Sequence, residues 1–348
     1  MAKQISPAVD ITLLVCTYNR CEDLRELLET GLAQETGGAF TYEILVVDNN
    51  SSDGTRAVVE GLIAAGHENL RYLFEGRQGK SHALNTGLGA VRGWAYVIAD
   101  DDFVLPKDWV RGIYEGFCAH PEASFVSGKV LPLWQSEPPA WLTPKHWSAI
   151  AMADYGDESF VTDQEHQVCL LACAFRLADV QAVGGYHGDL GPQKGRTGAT
   201  EDLDLLKRLW KSGRTGIYLP HVAFYHKATA DRLTKEYHRR WHRDHGRSYA
   251  VMRAEETEVA ATRLFDVPAH MYRAAAGDAL RWLKCRLTGR ADEAFWHEVH
   301  LMFFAGFFRK RRADFMAEGP RGAGRELAAF MRARAGGKGG RGAAGEVN

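Results

Sequence analysis

The chain has 348 residues, 45% of them hydrophobic and 25% charged, enough to bury one large core with an appended helical region. Its formal net charge of -1 supplies no basic field, which argues against nucleic acid as a partner. Six cysteines stand without metal-ligand pairs or a disulfide-like framework, no secretory signal is visible, and no apolar run approaches the roughly 20 residues that span a bilayer. A reduced, cytoplasmic protein is expected, with peripheral contact on the inner face of a membrane as its one route to lipid.

Residues 11–15 predict a first strand, followed by a helix with Leu24, Leu27, Leu28 and Leu32 on one face. Residues 42–47 predict a second strand that stops at Asp48. The run from Asn49 to Gly54 supplies turn and helix-capping chemistry, and Val58, Val59, Leu62 and Ile63 carry the next helix. A strand over 70–74 and a helix over 81–91 follow. A fourth strand, 95–99, runs straight into Asp100, Asp101 and Asp102. This alternation predicts an α/β fold with a mainly parallel sheet, covered by helices on both faces, whose ligand lies beyond the carboxyl ends of the strands.

The middle of the chain is less regular. Residues 133–160 hold Pro138, Pro139, Trp134, Trp141 and Trp147 and read as a long surface excursion of the kind that carries function. Residues 167–175 predict a buried strand, with Cys169 and Cys173 as small core residues. A glycine-rich stretch over 184–198 leads to a helix over 201–211, and a strand over 216–225 leads to His226. From 232 to 312 the pattern is helical. After Met316 the composition collapses to Gly, Ala, Arg and Glu, which predicts disorder.

Four features carry chemistry. Three adjacent carboxylates at a strand end repel one another and need a compensating cation or full solvation; Asp100–Asp102 is therefore either a site for Mg²⁺ or Mn²⁺ or a solvated acidic turn. Glu201 and Asp202 open a helix, where a carboxylate serves as a cap or as a general base. Asp48 ends a strand, either to recognise a base or ribose or to make a simple turn. Lys80 and Asn85 flank the start of a helix, which suits a phosphate or a solvent-facing surface.

Taken in order, Val15 to Arg20, Val46 to Thr55, Gly79 to Asn85, Asp100 to Asp102 and Glu201–Asp202 resemble glycosyltransferase family 2 over roughly residues 9–230. The resemblance implies a GT-A type, Rossmann-like fold with a C-terminal helical extension. The catalytic domain would span 1–230, its nucleotide-sugar half about 1–105 and its acceptor half about 106–230. A helical extension over 231–316 and a disordered tail over 317–348 would follow. The implied chemistry is inverting transfer from a nucleotide-diphospho-sugar with Mn²⁺ or Mg²⁺. Thr17, Asn19, Arg20, Asp48, Lys80, Asn85 and Asp100 would then hold the donor, with Asp48 facing the base. Asp101 or Asp102 would ligate the metal, with His226 as a further ligand and His221 as its rival. Asp202, beside Glu201, matches the family's catalytic base.

One departure bears on the product. Processive members carry a Gln-x-x-Arg-Trp string, whereas here Tyr237 stands where Gln is expected, before Arg240 and Trp241. A non-processive enzyme of cell-surface glycan or polysaccharide synthesis follows, acting on a glycan or lipid-linked acceptor. Trp134, Trp141 and Trp147 either stack on acceptor sugar rings or pack internally. The 184–198 loop, with Lys194 and Arg196, either closes over the diphosphate or is a solvated hinge. Residues 292–312, with Phe295, Trp296, Val299, Met302, Phe303 and Phe307 ahead of Arg309–Arg312, form either an interfacial helix on anionic lipid or a helix docked within the protein. The alternative function is a non-catalytic nucleotide- or glycan-binding relative, which the intact Glu201–Asp202 pair argues against. An oxidoreductase is disfavoured because no Gly-x-Gly-x-x-Gly turn follows the first strand.

Overall fold

The computed structural model describes residues 9–168, 173–191, 200–260 and 262–319. The chain divides into two compact units, 1–241 and 242–348. The first unit runs β1 (Ile11–Thr17), α1 (Cys21–Leu32), β2 (Tyr42–Asp48), α2 (Thr55–Ala64), β3 (Leu70–Phe74), α3 (Lys80–Leu88), β4 (Ala95–Asp100) and β5 (Phe103–Val104). It continues with α4 (Trp109–Ala119), β6 (Phe125–Trp134), β7 (Phe160–Thr162), β8 (Ala174–Arg176), α5 (Leu177–Ala182), α6 (Glu201–Lys211) and β9 (Gly216–Ala228). Helix α7 (Lys235–Met252) carries the chain from the first unit into the second.

The strands form one nine-stranded sheet in the order β3-β2-β1-β4-β8-β6-β9-β5, with β7 also paired to β9. Strands β3, β2, β1 and β4 are mutually parallel, as is the β6–β9 pair, while β8 runs antiparallel between β4 and β6. Every residue of β1 is buried, because helices cover both faces and successive side chains point to opposite sides. Leu13 and Val15 pack with Leu24, Val59 and Phe117 on one face; Leu14 and Cys16 pack with Leu84, Phe175 and Leu205 on the other. A Cβ on Gly87 would stand 2.5 Å from Leu14 Cδ1, so α3 approaches the sheet through a residue without a side chain.

Two expectations are refined in the middle of the chain. Residues 133–160 are largely exposed, as a surface excursion should be, but they also hold a 3-10 helix, Pro144–Ile150, and a bridge from Ala153 to Val130, with Ile150 and Met152 buried. The strand expected over 167–175 is β8, at Ala174–Arg176; Cys173 is buried, and Cys169 lies outside the described residues.

The second unit holds the end of α7, α8 (Glu255–Glu258), a hairpin of β10 (Arg263–Leu264) and β11 (Val267–Pro268), α9 (Ala269–Leu287) and α10 (Ala291–Glu318). Its core gathers Ala250, Val267, Met271 and Phe307 with Tyr249, Tyr272, Phe303, Phe304 and Phe308. Helices α7 and α10 touch backbone to backbone: a Cβ on Gly246 would meet the Phe303 carbonyl oxygen at 2.0 Å, and one on Gly306 the Arg243 carbonyl oxygen at 1.9 Å. The aromatic run of α10 is thus packed inside this unit. Arg311, from the expected basic cluster, is fully buried and pairs with Asp266 and Glu258, while Arg309 and Arg312 are exposed. Among the described residues, no helix is long and apolar enough to cross a membrane.

Candidate active site

Strands β1, β2 and β4 end together, since their register sets Thr17 opposite Asp48 and Cys16 opposite Asp100. The parallel pairing thereby gathers the polar residues at the strand ends into one rim. Asp48 is buried and held on both oxygens: the Tyr72 hydroxyl donates to Oδ2 (2.8 Å) and the Ser51 amide to Oδ1 (2.8 Å). Asn19, at φ 52°, accepts the Ser52 amide at 2.7 Å and so ties the end of β1 to the turn after β2. Asp53 completes that tie by accepting the amides of Cys21 (3.0 Å) and Thr55 (3.0 Å), the first residues of α1 and α2.

The aspartate triplet is answered by three side-chain cations. Lys80 Nζ lies 2.7 Å from Asp100 Oδ1. Arg20 Nη1 donates to Asp101 Oδ1 (3.1 Å) and Asp102 Oδ2 (2.9 Å), and Arg232 Nη2 donates to Asp102 Oδ2 (2.9 Å). Thr17 adds a hydroxyl donor to Asp101 Oδ2 at 2.8 Å. Burial pushes the Asp101 carboxyl up to about 7 against the pull of Arg20, with Asp102 adding to the rise. Burial would raise Asp102 as well, but contact with His226 and the charges of Arg232 and Arg20 hold it well below the usual carboxylate range.

His226, buried in β9, is oriented by its backbone neighbour. Nδ1 lies 3.1 Å from the Ile150 carbonyl oxygen, which requires a proton on Nδ1. Arg232 Nη1 stands 3.0 Å from Nε2, and the same nitrogen lies 3.1 Å from Asp102 Oδ1. The imidazole is fixed from behind by a carbonyl, as metal-ligating histidines are, and its Nε2 faces a carboxylate oxygen. This donor set fits a divalent ion. His221, the rival, is exposed at the far end of the same strand's bend.

Glu201 and Asp202 open α6. Among the described residues, Glu201 Oε2 and Asp202 Oδ1 are buried atoms without a hydrogen-bond partner, as are Ser81 Oγ and Thr200 Oγ1. Burial, then the neighbouring Asp202 charge, lifts the Glu201 carboxyl well above its ordinary range. Burial also raises Asp202, with Lys80 opposing. For Lys80 itself burial disfavours the charge, but Asp100, Asp202 and Glu201 outweigh it and keep the ammonium protonated. The loop before α6 closes on α3: a Cβ on Gly191 would stand 2.5 Å from Ser81 Oγ. Asn85 works within this contact, bonding the Tyr186 carbonyl (2.6 Å) and amide (2.9 Å), so its amide is engaged by protein backbone. Lys194 and Arg196 lie outside the described residues.

The three tryptophans of the acceptor expectation come together. Trp134, Trp141 and Trp147 are partly buried against Leu142, Ile150, Met152, Ala228 and Leu233. Tyr72 and Arg232 were not singled out by sequence. Tyr72 carries no signal beyond its place in a strand, and Arg232 sits in a 3-10 turn, Ala230–Leu233, just after β9.

Residues 12–168, a little under half of the chain, match the sequence model of Glycosyl transferase family 2. It is 36% identical over 113 residues to the succinoglycan biosynthesis protein ExoO of Rhizobium meliloti, covering 32% of this chain and 30% of that protein. It is 22% identical over 224 residues to the glucosyl-dolichyl phosphate glucuronosyltransferase of Haloferax volcanii, covering 62% of this chain and 69% of that one. The alignment spans only about a third of the first curated relatives, 30% of ExoO and 34% of glycosyltransferase AglE. Among solved structures, the mannosyltransferase PcManGT from Pyrobaculum calidifontis, in complex with GDP-Man and Mn²⁺, superposes with a TM-score of 0.51 at 19% identity. That match covers 96% of this chain and 78% of the other, and shows the shared GT-A type fold.

Proposed function

We propose that this chain is an inverting, metal-assisted, non-processive glycosyltransferase that moves a sugar from a nucleotide-diphospho-sugar to an acceptor hydroxyl in glycan or polysaccharide synthesis. The observation that carries this reading is one rim of strand ends holding both a cation-balanced aspartate triplet and a carboxylate pair with free, buried oxygens. Asp48, fixed by Tyr72 and the Ser51 turn, presents a rigid acceptor edge to the nucleoside. Arg20, Lys80 and Arg232 bring positive charge to where the diphosphate must lie.

Asp101 and Asp102, with His226, would hold Mn²⁺ or Mg²⁺. That ion's chemistry is to neutralise the departing diphosphate. Asp202 is partly accessible whereas Glu201 is buried, so Asp202 is the carboxylate that can reach an acceptor. It takes the hydroxyl proton as the oxygen attacks the anomeric carbon on the face opposite the leaving group. The bond from anomeric carbon to diphosphate breaks as the new glycosidic bond forms, and the proton stays on Asp202. The tryptophans of the 133–160 segment would guide the acceptor from one side, and a cytoplasmic setting suits a nucleotide-sugar donor.

The test is Asp202→Asn, assayed with labelled donors and by nucleotide binding. Nucleotide binding should persist while transfer falls by ~10²–10⁴-fold, the usual worth of a general base. Unchanged turnover would remove Asp202 from that role.

A further inference from the structure

A second cluster of metal-binding groups lies in the 242–348 unit, among residues that the transfer chemistry does not use. His297 and His300 are three residues apart on α10, which places both rings on one side of the helix. Both face Asp278 of α9. His297 Nδ1 is 2.8 Å from Asp278 Oδ1, and His300 Nδ1 is 3.5 Å from Oδ2. One nitrogen from each ring and a carboxylate oxygen all lie within 4.8 Å of one another.

We propose that Asp278, His297 and His300 form a transition-metal site, taking Zn²⁺ or a similar borderline divalent ion, that clips α9 to α10. Zinc bonds to imidazole nitrogen and carboxylate oxygen are about 2.0–2.2 Å long, which puts tetrahedral ligand atoms roughly 3.3 Å apart. The spacings of 2.8 Å to Oδ1 and 3.5 Å to Oδ2 lie on either side of that value. Two imidazoles and one carboxylate suit Zn²⁺, Co²⁺ or Ni²⁺ better than Mg²⁺, which prefers all-oxygen ligands.

The burial pattern fits as well. Asp278's side chain is 10% exposed and His297's 17%, while His300's is 34% exposed, which leaves an outer side for water as a fourth ligand. Arg281 Nη1 approaches Asp278 Oδ1 at 3.5 Å from a largely exposed side chain and can swing away. The competing reading is a pair of imidazole–carboxylate hydrogen bonds that merely pin the helices.

The full chain, stripped of metal with a chelator, is titrated with Co²⁺ and followed by visible absorption. The expected result is one equivalent giving the intense ligand-field band of a low-coordinate, nitrogen-ligated ion, together with a rise of several degrees in Tm on adding Zn²⁺. Both should vanish in His297→Ala/His300→Ala, which leaves the aspartate triplet intact as an internal control. Asp278→Asn, which keeps the side chain's size but removes its charge, should also lose the band and guards against misfolding of the double variant. The same band and stoichiometry in both variants, or no band and no Tm rise in the native chain under excess metal, would overturn the site.

Discussion

The Lys80 ammonium lies 2.7 Å from Oδ1 of Asp100, and its charge also reaches Asp202 and Glu201. One cation therefore links the aspartate triplet to the carboxylate pair at the start of α6. Lys80 lowers the Asp202 carboxyl against burial. Removing it as Lys80→Met leaves burial and the Asp100 charge to push Asp202 further up. A base works only when deprotonated, so the acid limb of kcat/KM against pH should move to higher pH. The rate at neutral pH should fall by about 10²-fold, since phosphate binding is weakened too. An acid limb that stays in place would separate Lys80 from the base.

Glu201 and Asp202 are adjacent but should respond differently. Burial, then the Asp202 charge, holds the Glu201 carboxyl well above its ordinary range, which favours its neutral form. Glu201→Gln keeps the side chain's shape and mimics that neutral form. It should therefore cost less than about tenfold in kcat/KM, against the ~10²–10⁴-fold expected of Asp202→Asn. Equal losses in the two variants would mean that the pair shares the proton.

Metal removal tests the Asp102–His226 pair. Chelation should abolish transfer, and Mn²⁺ or Mg²⁺ should restore it. His226→Ala removes the proposed ligand, held in place by the Ile150 carbonyl, and should raise the Mn²⁺ needed for half-activity by about 10–100-fold. Activity that survives exhaustive chelation would assign the whole charge-balancing task to Arg20, Lys80 and Arg232.

The parallel half of the sheet was legible because its strands are unbroken apolar runs that stop at polar residues. That pattern follows from burial on both faces with polar residues at the strand ends, and it placed Asp48 and Asp100–Asp102 in one rim. What the sequence hid was partnership. Nothing in spacing shows that Arg232 reaches back to Asp102, or that Tyr72 clamps Asp48, because both contacts depend on strand order across the sheet. The 133–160 segment was legible in part: its prolines and lack of period mark the exposed stretches, while its tryptophans supply a small core of their own. Asp278, His297 and His300 escaped notice because the 19-residue separation of Asp278 from His297 becomes a contact only once α9 and α10 pair.

Acid sensitivity should have a specific source in that small core. His238 is fully buried, 5.0 Å from Trp141 and 6.1 Å from His146 between ring centroids. Burial, with His146 adding to it, lowers its pKa from 6.5 to about 4. The folded ring therefore stays neutral, while the unfolded ring binds a proton below its ordinary value. The unfolded state gains protons first, so this contribution is intact above pH 6.5 and is lost as pH falls towards 4, by up to about 1.4 kcal/mol per pH step per proton. Tm measured between those limits should fall with acidification, and His238→Gln, which cannot titrate, should show a shallower fall from a lower starting point. The carboxylates act in both proteins alike, so the difference between the two slopes isolates the histidine. Identical slopes would mean that His238 is protonated in the folded state and that its aromatic neighbours hold it as a cation.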